Sequence, residues 1–206
     1  MKSLLFLLSL GAFACAAPVP IFDGKTFDGW EGDTQKTWRI VDGAFVGGSL
    51  TEKVENNQFL ATKKKYRNFD LTLKFKLVGT EGFVNSGVQL RSVRIEKPAH
   101  EMRGYQADIG DPEWWGCLYD ESRRNKVIAK SDMSKVGPVL KKDDWNTYRI
   151  RCEGPRIQLW LNGVQTVDYT ETDPEIAKED GHIAVQIHGG AKAEAWFKDI
   201  QIEELP

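Results

Sequence analysis

The chain of 206 residues carries 28 Lys and Arg against 30 Asp and Glu, a formal charge of −2 with histidine neutral, so it has no field suited to gripping a nucleic-acid backbone. With 41% hydrophobic and 28% charged residues it is neither a disordered polar chain nor a multi-span membrane protein, and at this length one core suffices. Nineteen glycines, seven tryptophans and ten phenylalanines favour a turn-rich β-fold with flat side chains left over for a ligand.

Taken in chain order, Lys2 is followed by an apolar run from Leu4 to Ala12 and by the small-x-small site Ala14-Cys15-Ala16. This reads as a signal peptide over residues 1–17, too short for a membrane span, ahead of one domain over 18–206 that is secreted or periplasmic. From there apolar residues recur with period two. Phe69, Leu71, Leu73, Phe75 and Leu77 alternate with Asp70, Thr72, Lys74 and Lys76, which predicts a long half-buried strand. Residues 85–91 and 104–109 alternate likewise, but the stretch from about Val93 to Lys142 has the weakest pattern and reads as mostly loops. Further strands are predicted over 148–152 and 157–161, with Asn162-Gly163 as the strongest hairpin signal. Residues 173–178 make at most a capped turn or two, and strands follow over 182–187 and through Phe197, Ile200 and Ile202. The fold class is all-β, an antiparallel β-sandwich. Cys152 falls on an apolar strand face and Cys117 in a loop, with no CxxC spacing, so neither a disulfide nor a metal role is expected. Trp30, Trp38, Trp145, Trp160 and Trp196 lie beside predicted strands and are expected in the core.

Three strands break the usual rule that the outer face carries Lys, Glu, Thr or Ser. Asn85, Gln89 and Arg91 share a face against Val88 and Leu90; Gln106 and Asp108 share one against Tyr105, Ala107 and Ile109; Gln186 and His188 oppose Val185 and Ile187. Carboxamides, a carboxylate, a guanidinium and an imidazole in rows suit the paired hydroxyls of a sugar. Trp114, Trp115 and Tyr119 supply rings for stacking, since two adjacent Trp after Pro112 cannot both enter one core. His100 and His182 read as structural.

These segments carry a family resemblance. Ile21-Phe22-Asp23-Gly24-Lys25-Thr26-Phe27-Asp28-Gly29-Trp30, Asn85-Ser86-Gly87 with Arg91, Gly104-Tyr105-Gln106 with Asp108, Trp145-Asn146-Thr147-Tyr148, Trp160-Leu161-Asn162-Gly163, Gln186-Ile187-His188-Gly189 and Phe197-Lys198-Asp199-Ile200 occur in order. The chain resembles the 3-keto-disaccharide hydrolase domain family over residues 20–206. The resemblance implies a concanavalin A-like jelly roll with its ligand on a concave sheet face, and action on glycosides whose C3 hydroxyl a partner sugar 3-dehydrogenase has oxidised to a ketone.

Such a ketone acidifies the C2 hydrogen and turns the C1 oxygen into a β leaving group, so the bond can break by elimination followed by hydration. That needs a base, a donor to the enolate oxygen and an acid for the leaving group. His188 is the first candidate for proton transfer and Asp108 the second, with Arg91 and the carboxamides of Asn85, Gln89, Gln106 and Gln186 stabilising the enolate. A direct glycosidase would need two flanking carboxylates, and only Asp108 stands on a polar strand face, with Glu101, Asp111, Glu113 and Asp120 in loops. No cofactor is required by the sequence; a divalent metal on His188 and Asp108 is the alternative to Arg91. The competing reading is a non-catalytic carbohydrate-binding module, because a fold does not fix a function.

Overall fold

Alternating strands can bury their apolar faces only against a second layer. In the computed structural model, which describes residues 17–177 and 180–206, two antiparallel sheets do this for each other. With strands numbered along the chain, the eight-stranded sheet runs β13 (Val164–Thr170), β12 (Arg156–Leu161), β11 (Asn146–Glu153), β6 (Phe69–Glu81), β15 (Lys192–Glu204), β4 (Ala44–Ser49), β3 (Trp38–Val41), with β1 (Val19–Pro20) also pairing β15. The seven-stranded sheet runs β10 (Lys126–Ala129), β9 (Leu118–Glu121), β8 (Met102–Gly110), β7 (Asn85–Arg94), β14 (Gly181–Ile187), β5 (Gln58–Tyr66), β2 (Trp30–Glu31). The only helices among the described residues, α1 (Met133–Val136) and α2 (Pro174–Ala177), have four residues each, and neither is long and apolar enough to cross a membrane. The expected leader over residues 1–17 lies, apart from Ala17, outside the described residues.

The core follows the period-two pattern. Phe69, Leu71, Leu73, Phe75 and Leu77 of β6 and Tyr148, Ile150 and Cys152 of β11 are buried against Val88, Leu90, Ala107, Ile109, Val185 and Ile187 of the other sheet, each large side chain worth roughly 1.5–3 kcal/mol. Asn162 and Gly163 take φ of 48° and 84° between β12 and β13, both positive as a type I′ hairpin turn demands. Cys117 and Cys152 are both free and buried.

Two expectations fail here for identifiable reasons. Trp30 and Trp38 are core, but Trp145, Trp160 and Trp196 sit half-buried on the outer face of the eight-stranded sheet. Trp160 and Trp196 have the opposite phase from Leu159, Leu161, Ala195 and Phe197, which take the core positions. Cations cover them instead: Lys76 Nζ lies 4.3 Å from the Trp196 ring, Lys198 Nζ 4.1 Å from Trp145 and the Arg149 guanidinium 4.6 Å from Trp160. Within the weakly patterned stretch, β8 matches the expected alternation over 104–109, but β9 and β10 stand where loops are expected. The signal there is blurred because Asp120, fully buried, occupies an apolar phase of β9. Arg123 Nε donates to it at 2.8 Å, and Arg124 donates both to it and, at 2.7 Å, to Glu171. Burial pushes the Glu171 carboxyl up, but hydrogen bonds from Arg124 and Tyr105 outweigh it and hold the pKa at about 2. This cluster ties β9 of one sheet to the end of β13 of the other.

Candidate functional site

Strands β7 and β8 are buried on both faces, although one face is polar. Their outer sides are therefore satisfied by one another. Gln89 pairs in register with Gln106, and Gly87 stands between Asp108 on one side and Gln186 on the other. Gly87 is required there: a Cβ would come within 2.5 Å of Gln106 Cγ, because the Gln106 side chain lies across it. From that position Ser92 Oγ donates to Gln89 Oε1 at 2.6 Å, Gln89 Nε2 donates to Gln106 Oε1 at 2.8 Å, and Gln106 Nε2 donates to Asp108 Oδ1 at 2.7 Å. The relay ends on a carboxyl whose other oxygen, Oδ2, is buried without a partner. Burial drives the Asp108 pKa well above the carboxylate range; the Gln106 bond opposes this and the charge of Glu121 adds to it. With no cation beside it, the neutral acid is the favoured form, and its proton belongs on Oδ2, since Oδ1 is already an acceptor.

Above this floor is a pocket of about 140 Å³ lined by Asn85, Gln106 and Asp108, by the rings of Phe83, Trp114 and Tyr119, and by His188 and Glu121. Tyr119 to Trp114 and Trp114 to Phe83 are each 6.1 Å between centroids and edge-on, and Phe83 meets the His188 ring at 4.9 Å in the same manner. His188 follows β14 directly. Its backbone N–H donates to Asn85 O at 3.2 Å and its Nδ1 stands 2.7 Å from Gly189 O. A carbonyl only accepts, so Nδ1 carries the proton and Nε2 of the neutral ring is left as the base. Gly189 N–H donates to Asn57 Oδ1 at 3.0 Å, and Asn57 Nδ2 to Glu101 Oε1 at 2.9 Å, which steadies the loop. Gly82, at φ +87°, packs so closely that a Cβ would lie 2.3 Å from Gly190 O; this approach brings Phe83 to His188.

Glu121, on β9, is pushed up to about 7 by burial first and by the charge of Glu101 second, with Ser122 N–H and Gln186 pulling down and Asp120 pushing up. Gln186 is near enough to be felt but does not meet hydrogen-bond geometry: both its polar atoms are buried and unpartnered.

Of the residues predicted from sequence, Asn85, Gln106, Asp108, Trp114, Tyr119 and His188 line this one pocket. Gln89 lies beneath it in the relay and Gln186 lies on the same face beside Gly87. Arg91 does not belong to it. A bulge between Leu90 and Val93 breaks the alternation, Arg91 takes φ +47°, and its guanidinium turns away to donate to Arg67 O, to Gly154 O at 2.7 Å and to Asn68 Oδ1 at 3.2 Å. Trp115 is also elsewhere: it is buried, stacks on Phe75 at 6.4 Å and donates from Nε1 to Asp111 at 2.9 Å. Phe83 and Glu121 also line the pocket and are not among the residues expected from sequence. For Glu121 the signal was present, since it is two residues beyond Tyr119 on the same strand face. As metal ligands, His188 and Asp108 fit poorly: burial favours the neutral acid, Gln106 occupies Oδ1, and among the described residues no three His, Cys, Asp or Glu side chains are arranged to hold an ion.

The model of the 3-keto-alpha-glucoside-1,2-lyase-like domain matches residues 17–203. The chain belongs to this family. Two solved structures of candidate glycosyl hydrolases from Parabacteroides distasonis ATCC 8503 share the fold. One is 19% identical over 92% of this chain and 94% of its own, TM-score 0.66; the other is 24% identical over 92% and 100%, TM-score 0.63. The carbohydrate-binding module CBM66 from Bacillus subtilis is 15% identical over 85% and 96%, TM-score 0.63. No curated relative matches the sequence. The 3-keto-alpha-glucoside-1,2-lyase-like family and the jelly-roll architecture together support a carbohydrate-related function.

Proposed function

We propose that the pocket cleaves the glycosidic bond of a 3-keto-glycoside by elimination across C1 and C2, followed by hydration. The observation that carries this reading is the pairing of a buried, neutral-favouring Asp108 with a His188 whose Nε2 is free. A ground-state sugar needs neither. A ketone at C3 uses both: the Asp108 Oδ2 hydroxyl donates to the carbonyl oxygen, where negative charge develops, while His188 Nε2 removes the C2 proton. Asp108 thus takes the role expected of Arg91. Gln106 fixes its orientation, Asn85 offers a free carboxamide to a neighbouring hydroxyl, and Trp114, Phe83 and Tyr119 cover the ring. No step calls on a metal. A substrate of this class has to be supplied by an oxidoreductase acting on the C3 hydroxyl, and the apolar leader favours export of the protein to meet it.

The second reading, a non-catalytic carbohydrate-binding module, is favoured by the aromatic wall and by the fold shared with CBM66. Purified protein incubated with a disaccharide and with its 3-keto form separates the two. Release of sugar from the keto form alone, lost by about a hundredfold or more in His188→Ala, supports the enzyme. Binding of the parent sugar with no release from either leaves the module.

A further inference from the structure

Elimination leaves one task unassigned. His188 takes a proton and Asp108 holds an oxygen, but the departing alkoxide needs a proton of its own. The third ionisable group lining the pocket, with Tyr119 aside, is Glu121. It stands on β9 opposite Gly104 of β8, whereas Tyr119 faces Gln106 and Asp108 lies two residues further along β8. At roughly 3.3 Å per residue, the Glu121 and Asp108 backbones are about 13 Å apart along the strand direction, so the two carboxyls approach the pocket from separated positions with Tyr119 and Gln106 between. The groups acting on Glu121 are Glu101 from the segment before β8, Asp108 from β8, Gln186 from β14, and Tyr119, Asp120 and Ser122 beside it in the chain, with the His188 imidazole after β14 lining the same pocket. The buried carboxamide of Gln186 has no partner of its own.

Resting on the elimination reading, we infer that Glu121 is the acid that protonates the departing glycosidic oxygen, and that the β9 side of the pocket is where the leaving group sits. The electron count closes. The C2–H pair becomes the C1=C2 double bond as the proton goes to His188 Nε2; the C1–O bond breaks with its pair on oxygen, which takes the Glu121 proton. The products are an alcohol and a 1,2-unsaturated 3-ketosugar. In hydration Glu121, now a carboxylate, accepts a proton from the water that adds to C1, and His188 returns its proton to C2, which resets both groups. Burial and the acidic surroundings keep Glu121 protonated up to about pH 7, as a general acid requires.

The test compares a methyl and a 4-nitrophenyl 3-ketoglucoside. Nitrophenolate leaves without help, whereas methoxide needs a proton. Measured as single-turnover release of the leaving group, which precedes hydration, Glu121→Gln should lose about a hundredfold or more with the methyl glycoside and no more than about tenfold with the nitrophenyl one. A variant that merely misfolds loses both alike. In the wild type the methyl-to-nitrophenyl rate ratio should fall as pH rises through about 7, because the ratio cancels any group that both substrates need. Equal losses in the variant together with a pH-independent ratio in the wild type would overturn the assignment while leaving the elimination reading intact. A wild type inactive on both ketones would remove that reading and this one with it.

Discussion

The carboxyl of Glu121 is a test of the physical reasoning that needs no substrate. Its pKa in the folded chain is raised from 4.5 to about 7, so folding is favoured by the bound proton. That contribution is complete below pH 4.5 and is lost as pH rises through 7. The difference corresponds to roughly 3 kcal/mol, an upper value because part of the carboxyl reaches water. Glu121→Gln keeps the shape and removes the ionisation. At pH 5, where the unfolded chain has begun to ionise, the variant should exceed the wild type by no more than about 1 kcal/mol; at pH 8 to 9 it should be more stable by about 2 to 3 kcal/mol, which for a domain of this size is roughly 4–12 °C in Tm. Asp108 reinforces the direction, because the Glu121 charge raises its pKa too. Urea or thermal unfolding of both proteins at pH 5, 7 and 9 decides the matter. Parallel stability curves across that range would mean that Glu121 ionises as an ordinary carboxylate, and the account of the pocket's acidity would be wrong.

Other outcomes are equally definite. Gly87→Ala should displace Gln106, whose Cγ would lie 2.5 Å from the new Cβ, and with it Asp108. Turnover of a 3-keto-glycoside should fall by about tenfold to a hundredfold with the circular dichroism unchanged. Arg91→Met should cost stability, about 2 kcal/mol for the carbonyls of Arg67 and Gly154 left without their donor, and leave turnover per folded molecule as it was; a specific loss of turnover would restore Arg91 to the site. Trp115→Ala should lower stability by about 3–5 kcal/mol, whereas Trp114→Ala should leave the melting temperature nearly intact and weaken sugar affinity by about threefold to tenfold, as measured by calorimetry. Arg124→Gln takes the cation from Glu171 and one of the two cations that hold the buried Asp120, leaving Arg123 on Asp120, and should cost about 3 kcal/mol at pH 7. That penalty should shrink as pH falls towards 2, where Glu171 takes up a proton.

Much of the sheet architecture was legible because period two survives wherever one face meets the core, as in β6 and β11. The polar floor was legible for the same reason: Asn85, Gln106 and Asp108 occupy positions where a surface strand would carry lysine. What misled was anything that shifts phase. The bulge at Arg91 and Ser92 turned a residue aligned with Gln89 towards the turns that hold Arg67, Asn68 and Gly154, and no spacing rule announces a bulge. Trp160 and Trp196 are as apolar as their neighbours, so hydrophobicity alone placed them inside, although the alternation already assigned them outward. Asp120 on a core-facing position made β9 look like a loop, and that reading hid Glu121. Phe83 depends on the approach of Gly82 to Gly190, a contact between segments 108 residues apart, which no local pattern carries.

On the proposed function, the withdrawal of Arg91 bears on which sugars the pocket would admit. Its lining contains two carboxyls, a phenol, two carboxamides, an imidazole and two apolar rings, and neither lysine nor arginine. A uronic acid, a sulfated residue or a sugar phosphate entering it would bring an anion towards Glu121, with Glu101 behind, and find no fixed cation to answer it. Each would also raise the cost of ionising Glu121 further. Under the proposed function, the same shortage of positive charge that keeps the acids protonated would select against anionic glycans and favour neutral hexosides.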